Sequence, residues 1–298
     1  MFNDIYKNVL APSRVPQLPL GQFNFRWGGL LGQGGLGRVN EIIVTESNAV
    51  GFPVGSRHAG KRLNDSFKNQ PEARERFERE IQVLEGMSHP NIMTVQGQNL
   101  LGGSERFYLM KLYPNGLRKL LSTTPNGFPW ETAATFAARI ADALAYAHGQ
   151  GFIHWDLKPE NILLTDAHAP IIADWGLGYF VHKNSKVLQQ LTRGGMGTEY
   201  YCSMEQWNTG KCNETGDIYS LGMMLAELVL GQQAPLMVPG FSGTGIGVDV
   251  VHNNTLGSRL FNVIIKKMTD ITPESRHQTM VEVAEELRLA VAVANTPA

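Results

Sequence analysis

The side chains of this sequence best suited to chemistry lie in the run His154-Trp155-Asp156-Leu157-Lys158-Pro159-Glu160-Asn161, followed by Asp174-Trp175-Gly176. Asp156 is a carboxylate placed to accept the proton of a hydroxyl nucleophile. Lys158, two positions on in an extended loop, points to the same side and can neutralise charge on a transferred phosphoryl group. Asn161 and Asp174 offer hard oxygen ligands from the two ends of a short hairpin, a set that suits Mg²⁺ bridging phosphates. Taken together, these residue types at this spacing are a strong signal for phosphoryl transfer to a hydroxyl, although no one of them is so alone.

A second group precedes it. Gly32-Gln33-Gly34-Gly35-Leu36-Gly37 is a weak signal by itself, because two kinds of nucleotide site use that glycine spacing. A dinucleotide fold would start a helix at the third glycine, whose N-terminus holds the pyrophosphate. Here Arg38 to Val44 is rich in β-branched residues and continues as a strand. What survives is a hairpin tip whose backbone amides close over ATP phosphates; a plain glycine-rich surface turn would look the same if it stood alone. Lys61, preceded by Ala59 and Gly60, lies 24 positions after Gly37, and Glu80 follows on a charged helix. A strand-borne ammonium beneath phosphates needs a fixed carboxylate to hold its long side chain. Arg76, four residues before Glu80, is a competing helical partner, and spacing does not choose between them.

The elements that must position these groups change character along the chain. Phe23–Trp27 and Val39–Val44 read as strands, with Gly32, Gly34, Gly35 and Gly37 at the tip of their hairpin. A short strand ends at Lys61, and Pro71 opens a helix to Glu85 with Phe77, Ile81 and Leu84 on one face. Ile92–Gly97 and Phe107–Leu112 are further strands, and Pro114-Asn115-Gly116 marks a turn and lobe boundary. Helices then dominate: an alanine-rich one over 131–148 closed by Gly149 and Gly151, another from Asp217 to Leu230 ending at Gly231, and two more near 257–270 and 278–293. Ile162–Leu164 and Ile171–Ala173 are short strands joined by a polar turn. Residues 1 to 20, spaced by Pro12, Pro16 and Pro19, read as an extended arm.

Composition narrows the partners. A chain of 298 residues, 43% apolar and 18% charged, can bury one large core or two smaller lobes that share a cleft. A formal net charge of -1 and a pI near 6.7 give no field to gather nucleic acid or anionic lipid. Cys202 and Cys212 form no ligand or disulfide framework, which fits a reducing, cytoplasmic compartment. The N-terminal residues hold no apolar stretch of secretory length. The most apolar run, Ile218 to Leu230, contains Ser220 and Glu227 and is well short of the roughly 20 residues that span a bilayer.

With these residues in view, the chain resembles a eukaryotic-type serine/threonine protein kinase of the sort also found in bacteria, over about residues 23 to 293. The resemblance implies an α+β, bilobal fold: an arm over 1–20, a small, mainly antiparallel β lobe and hinge over 21–113 with one regulatory helix, and a larger helical lobe over 114–298. It implies that Gly32, Gly34, Gly35, Gly37 and Val39 form the phosphate loop and adenine roof. Ala59, Met110 as gatekeeper, and the hinge residues Lys111, Leu112 and Tyr113 would join them around ATP. Lys61 would pair with Glu80, with Mg²⁺, or Mn²⁺ in its place, held by Asn161 and Asp174. Gly197 to Glu205 resembles the end of an activation segment, with Ser185, Thr192 and Thr198 as sites of autophosphorylation. Glu205 would pair with Arg276, and Asp217 would brace the catalytic loop from beneath. Lys158 with Thr198 is the serine/threonine pattern, and a protein substrate is implied.

The sequence also departs from the family. Many kinases place an arginine before the catalytic aspartate, where it binds a phosphate on the activation segment; here that residue is Trp155, which has no charge. Trp175 replaces the usual phenylalanine between Asp174 and Gly176, and the usual proline after Thr198 and the Ala-Pro before Glu205 are missing. Residues 232–257 resemble the family least. Two other readings compete: a nucleotide-binding pseudokinase scaffold, against which every catalytic position is filled by a competent residue, and a small-molecule phosphotransferase of kinase-like fold, a class that generally lacks the three-glycine loop.

Overall fold

The computed structural model of the chain describes residues 23–34, 37–48, 51–99, 106–176, 200–209, 213–231, 246 and 249–297. The chain divides into two compact units, one running to Ser88 together with Ile92–Pro114, the other formed by His89–Asn91 and the chain from Asn115 onward.

The first unit is a sheet with a helix. Strands β1 (Phe23–Gln33), β2 (Gly37–Ser47), β3 (Arg57–Leu63), β4 (Val95–Asn99) and β5 (Phe107–Lys111) form an antiparallel sheet in the order β1-β2-β3-β5-β4. One face buries Ile42, Val44, Phe52, Phe107 and Leu109, with Phe25 and Trp27 packed against them. Phe25, Trp27 and Phe107 meet edge to face at centroid distances of 5.3 to 5.7 Å, the arrangement favoured by ring quadrupoles. Gly60 makes this closure possible beside Lys61: a Cβ there would stand 2.5 Å from Ile42 and 2.8 Å from Trp27. Helix α1 (Pro71–Glu85) begins with proline at its first turn and buries Phe77, Ile81 and Leu84.

Two sequence expectations shift in this unit. Gly32 and Gly37 are not at the hairpin tip but inside the strands, where Gly32 pairs with Val39 and Gly37 with Leu63. Ladder pairing extends the strands through the glycines because no side chain opposes it. The strand expected at Ile92–Gly97 runs instead from Val95 to Asn99, because its partner β5 ends at Lys111 and Val95 already faces Met110. Ile92 and Met93 are buried without belonging to the ladder.

The second unit is helical around a small sheet. Its elements are β6 (Asn115–Gly116), α2 (Leu117–Ser122), α3 (Trp130–Gly149), β7 (Ile162–Leu164), β8 (Pro170–Ile172), α4 (Met204–Thr209), α5 (Glu214–Leu230), α6 (Leu256–Met268) and α7 (Met280–Ala292). Asn115 and Gly116, expected as a turn, pair with Leu164 and Leu163 to make a three-stranded antiparallel sheet β6-β7-β8. The alanines of α3 at 133, 134, 137, 141, 143 and 147 are buried, and α3 packs closely on α5 and α7. Helix α4 had no signal in the sequence.

α5 is buried through nearly all its turns. It starts at Asn213, whose side chain accepts from the Thr215 amide, and stops at Gly231 in the left-handed region, φ 68°. Gly127, also at φ 68°, lies against it: a Cβ on Gly127 would fall 2.1 Å from the Val229 carbonyl. Only glycine satisfies both the dihedral and the contact. Among the described residues no helix is long and apolar enough to cross a membrane.

Candidate active site

In the first unit, β3 and α1 bring together the two charges that spacing could not pair. Lys61 Nζ lies 2.6 Å from Glu80 Oε1, with both side chains largely buried. Tyr108, opposite Lys61 on β5, donates its hydroxyl to the same carboxylate oxygen at 2.8 Å, and its ring packs on Phe77. Glu80, carried on α1, is thus held by two side chains of the sheet. Gly37 sits over the lysine: a Cβ there would be 3.4 Å from Lys61 Cε and 3.1 Å from the Arg62 carbonyl. The hairpin tip is tied by Gly34 N–H to Gly37 O at 2.8 Å and by Asn64 Nδ2 to Gly34 O at 3.2 Å. Val39 pairs with Lys61 and Ala59 with Met110, so these residues share one stretch of ladder; Ala59 and Met110 are buried, and Lys111 is exposed at the end of β5.

In the second unit the run from 154 to 161 wraps into a tight loop. Asp156 Oδ2 lies 2.7 Å from Lys158 Nζ and accepts from Asn161 Nδ2 at 3.1 Å; the same amide donates to the Asp156 carbonyl at 2.7 Å. The other carboxylate oxygen, Oδ1, is buried and has no hydrogen-bond partner. Because the Asn161 amide nitrogen is committed to Asp156, its oxygen is the end left for a cation. Ala173 N–H donates to Asn161 O at 2.9 Å, which continues the β7–β8 hairpin and sets Asn161 one residue out of step with Asp174. Asp174 has φ 63°, a conformation that aspartate tolerates better than most residues. Among the described residues no group of three or more His, Cys, Asp and Glu side chains forms a metal cluster. Asn161 and Asp174 fit a hard cation that takes its remaining oxygens from phosphates and water.

Below the loop stands Asp217, fully buried at the start of α5. Its Oδ2 accepts from His154 N at 2.8 Å and from His148 Nε2 at 2.8 Å, and its Oδ1 accepts from Trp155 N at 2.9 Å. Burial pushes this carboxyl up, but the bonds from His148 and the His154 backbone outweigh it and hold the pKa below the ordinary value. His154 takes the Asp156 amide on Nδ1 at 3.3 Å, so Nε2 carries the hydrogen that it gives to Ala173 O at 3.0 Å. Glu205 and Arg276 form a fork, 2.7 and 3.0 Å, and the buried guanidinium also donates to the carbonyls of Thr215, Asp270 and Ile271. Burial raises the Glu205 carboxyl and Arg276 more than reverses it, so its pKa is lowered.

Both tryptophans have definite places. Trp155 is buried at φ 71°, a costly conformation for a bulky residue. Its amide is held by Asp217 and its carbonyl by Gln206 Nε2 at 2.7 Å, while its indole N–H has no partner. Trp175 packs edge to face on His154 with centroids 4.8 Å apart, and its N–H reaches the Ile172 carbonyl at 3.4 Å. Cys202 is buried, and burial, followed by the charges of Asp156 and Glu205, pushes its thiol up to about 12, so it stays protonated.

Gly35, Ser185, Thr192 and Thr198 lie outside the described residues, as do parts of 232–257. Sequence reasoning missed Tyr108 and His148, which carry no motif and enter only through register and helix packing. It also missed Arg118, on α2, whose partners Glu160, Tyr201 and Glu227 are 42, 83 and 109 residues away.

Known proteins resemble this chain in sequence and in fold. A probable serine/threonine-protein kinase of Clostridium perfringens is 30% identical over 242 residues, which cover 77% of this chain and 34% of that protein. The serine/threonine-protein kinases PknB of Mycobacterium leprae and PrkC of Bacillus subtilis are each 27% identical over 88% of this chain, and over 42% and 39% of their own lengths. The chain therefore spans between a third and under half the length of these relatives. A crystal structure of a double mutant of the Mycobacterium tuberculosis PknI kinase domain, 21% identical, superposes with a TM-score of 0.65 over 90% of this chain and 96% of that one, and so shares its fold. The model of the protein kinase domain matches residues 25–285, and with the relatives it establishes that this chain belongs to the protein kinase domain family.

Proposed function

We propose that this chain transfers the γ-phosphoryl group of ATP to serine and threonine hydroxyls of proteins, itself included. The observation that carries the reading is the asymmetry of Asp156: one carboxylate oxygen is held by Lys158 and Asn161, and the other is buried, unpartnered and aimed by that grip. An acceptor so fixed is suited to take a hydroxyl proton as the oxygen–phosphorus bond forms and the bond to the β-phosphate breaks, with ADP leaving. Lys158, against Asp156, neutralises charge on the phosphoryl group in flight, and Lys61, fixed by Glu80, holds the phosphates of ATP. Gly32, Gly34, Gly35 and Gly37 give the amides that cover them, and Met110, Lys111 and Leu112 the strand end that meets adenine. A divalent cation, Mg²⁺ in this reading, would be held by Asn161 and Asp174 and would supply charge neutralisation at the phosphate oxygens.

In the same reading, residues 21–113 act as the nucleotide lobe and hinge and 114–298 as the substrate lobe, with 1–20 as an arm. The buried, protonated Cys202 suits a reducing, cytoplasmic setting. The test is a protein and peptide array with labelled ATP. Wild type should label serine and threonine, and Asp156→Asn should reduce labelling by about 10² to 10⁴-fold, the usual worth of a positioned base, while still binding ATP. Equal labelling by the variant, or labelling of small molecules in place of proteins, would overturn it.

A further inference from the structure

One arginine ties three separate segments of the second unit together. Arg118, on the first turn of α2, donates from Nε to Glu160 Oε1 at 2.7 Å, from Nη1 to Glu227 Oε1 at 2.5 Å, and from Nη2 to the Tyr201 hydroxyl at 2.6 Å. Tyr201 closes the ring by donating to the second oxygen of Glu227. Glu227 is 2% exposed, in the middle of α5, where an unpaired carboxylate would be costly. Burial raises the Tyr201 hydroxyl, and the Glu227 charge raises it further, so it remains a donor. Ser220 Oγ pins the Tyr201 carbonyl to α5 at 2.8 Å.

The location of the partners gives this network its significance. Glu160 lies between Lys158 and Asn161 in the catalytic loop. Tyr201 directly precedes Cys202, whose thiol feels the charge of Asp156, and lies four residues before Glu205. A guanidinium is a rigid planar fork that can hold several acceptors in fixed relation, which a single point charge cannot. The position before Asp156 holds the uncharged Trp155.

Building on the kinase reading, we infer that Arg118 is a positioning residue for phosphoryl transfer: it locks the 200–203 segment and the catalytic loop into one register through Glu160, Tyr201 and Glu227. Carboxylates and a phenol hold one donor on each of the three guanidinium nitrogens, so the lock forms without a phosphate.

The experiment compares wild type with Arg118→Lys, which keeps a charge for Glu227 but cannot reach all three partners, and with the milder Tyr201→Phe. Each is assayed with peptide and ATP varied separately, and each is followed by hydrogen exchange. Positioning predicts that peptide KM rises roughly tenfold for Arg118→Lys, the scale of one lost charge-assisted hydrogen bond, with ATP KM unchanged. Adding Tyr201→Phe to Arg118→Lys should cost little more, since the two share one network. Amides of 158–161 and 200–205 should exchange faster in Arg118→Lys while the rest of the chain keeps its protection. A lower melting temperature with both KM values and those amides unchanged would sink the inference. If wild type phosphorylates no protein, the functional proposal fails, and the exchange pattern still decides whether Arg118 holds the two segments together.

Discussion

The ammonium of Lys61 lies 2.6 Å from Glu80, and the hydroxyl of Tyr108 donates to the same carboxylate oxygen at 2.8 Å. One oxygen therefore serves a strand lysine and a neighbouring strand tyrosine, and helix α1 is fixed to the sheet at the point where the lysine must be rigid. Removing the cation, its partner and its partner's support should have graded effects. Lys61→Met should lower kcat/KM by about 10² to 10³-fold, the cost of deleting an electrostatic group aimed at transition-state charge. Glu80→Gln should fall short of that, and Tyr108→Phe should cost only severalfold, since Lys61 and Glu80 remain paired. Steady-state kinetics on the three variants would check this order; a Tyr108→Phe enzyme as impaired as Lys61→Met would contradict it.

How much of this was legible in the sequence depends on chain distance. Asp156, Lys158, Asn161 and Asp174 could be named because one loop and one hairpin carry them all in a short motif, whose roles the family resemblance supplies. Glu80 could be named only by resemblance, because its meeting with Lys61, 19 residues away, is made by the packing of α1 on β3 and not by spacing. The Arg118 network was invisible: α2 is a short helix with no special residue pattern, and its meaning comes from α5, over 100 residues later. Strand ends were misplaced for a related reason. Whether Gly32 pairs or turns is decided by Val39 across the ladder and not by its own freedom.

His277 and Asp217, both buried, and the half-buried Glu205 contribute to the dependence of stability on pH. Burial lowers the His277 imidazole pKa despite the pull of Glu286, while Asp217 and Glu205 are lowered against burial by their hydrogen-bond and charged partners, His148 and His154 for the one and Arg276 for the other. All three shifts are downward, so the stability they bring is complete above their unfolded pKa values and is lost as pH falls through the folded ones. Thermal unfolding followed from pH 8 to pH 3 should therefore show a plateau near neutrality. A first decline should begin as pH drops below about 6.5, where an unfolded histidine protonates, and a steeper one below about 4. Glu205→Gln should be less stable than wild type at pH 7, with Arg276 left without its counter-charge, and should lose less on acidification. If the variant and wild type kept a constant gap down to pH 3, the Glu205–Arg276 pair would not be the source of that step.

Trp155 bears on how the enzyme is controlled. Its backbone is held on both sides, by Asp217 at the amide and Gln206 at the carbonyl, in a conformation that is strained for an aromatic residue. Asp156, the proposed base next in sequence, is held by Lys158 and Asn161 within its own loop, and the indole offers no charge to meet a phosphate. Arg118, the cation that does reach the 200–203 segment, has Glu160, Glu227 and Tyr201 as its partners. Activity should therefore be independent of prior phosphorylation. Protein treated with phosphatase, checked by intact mass and then assayed at initial rate, should retain its kcat within about twofold, well under 1 kcal/mol of barrier. Trp155→Arg puts a cation at the position where many kinases carry one, and its kcat should then fall on phosphatase treatment. If phosphatase abolished wild-type activity and rephosphorylation restored it, control by phosphate would run through a residue other than the one before Asp156, and the role given to Trp155 would be wrong.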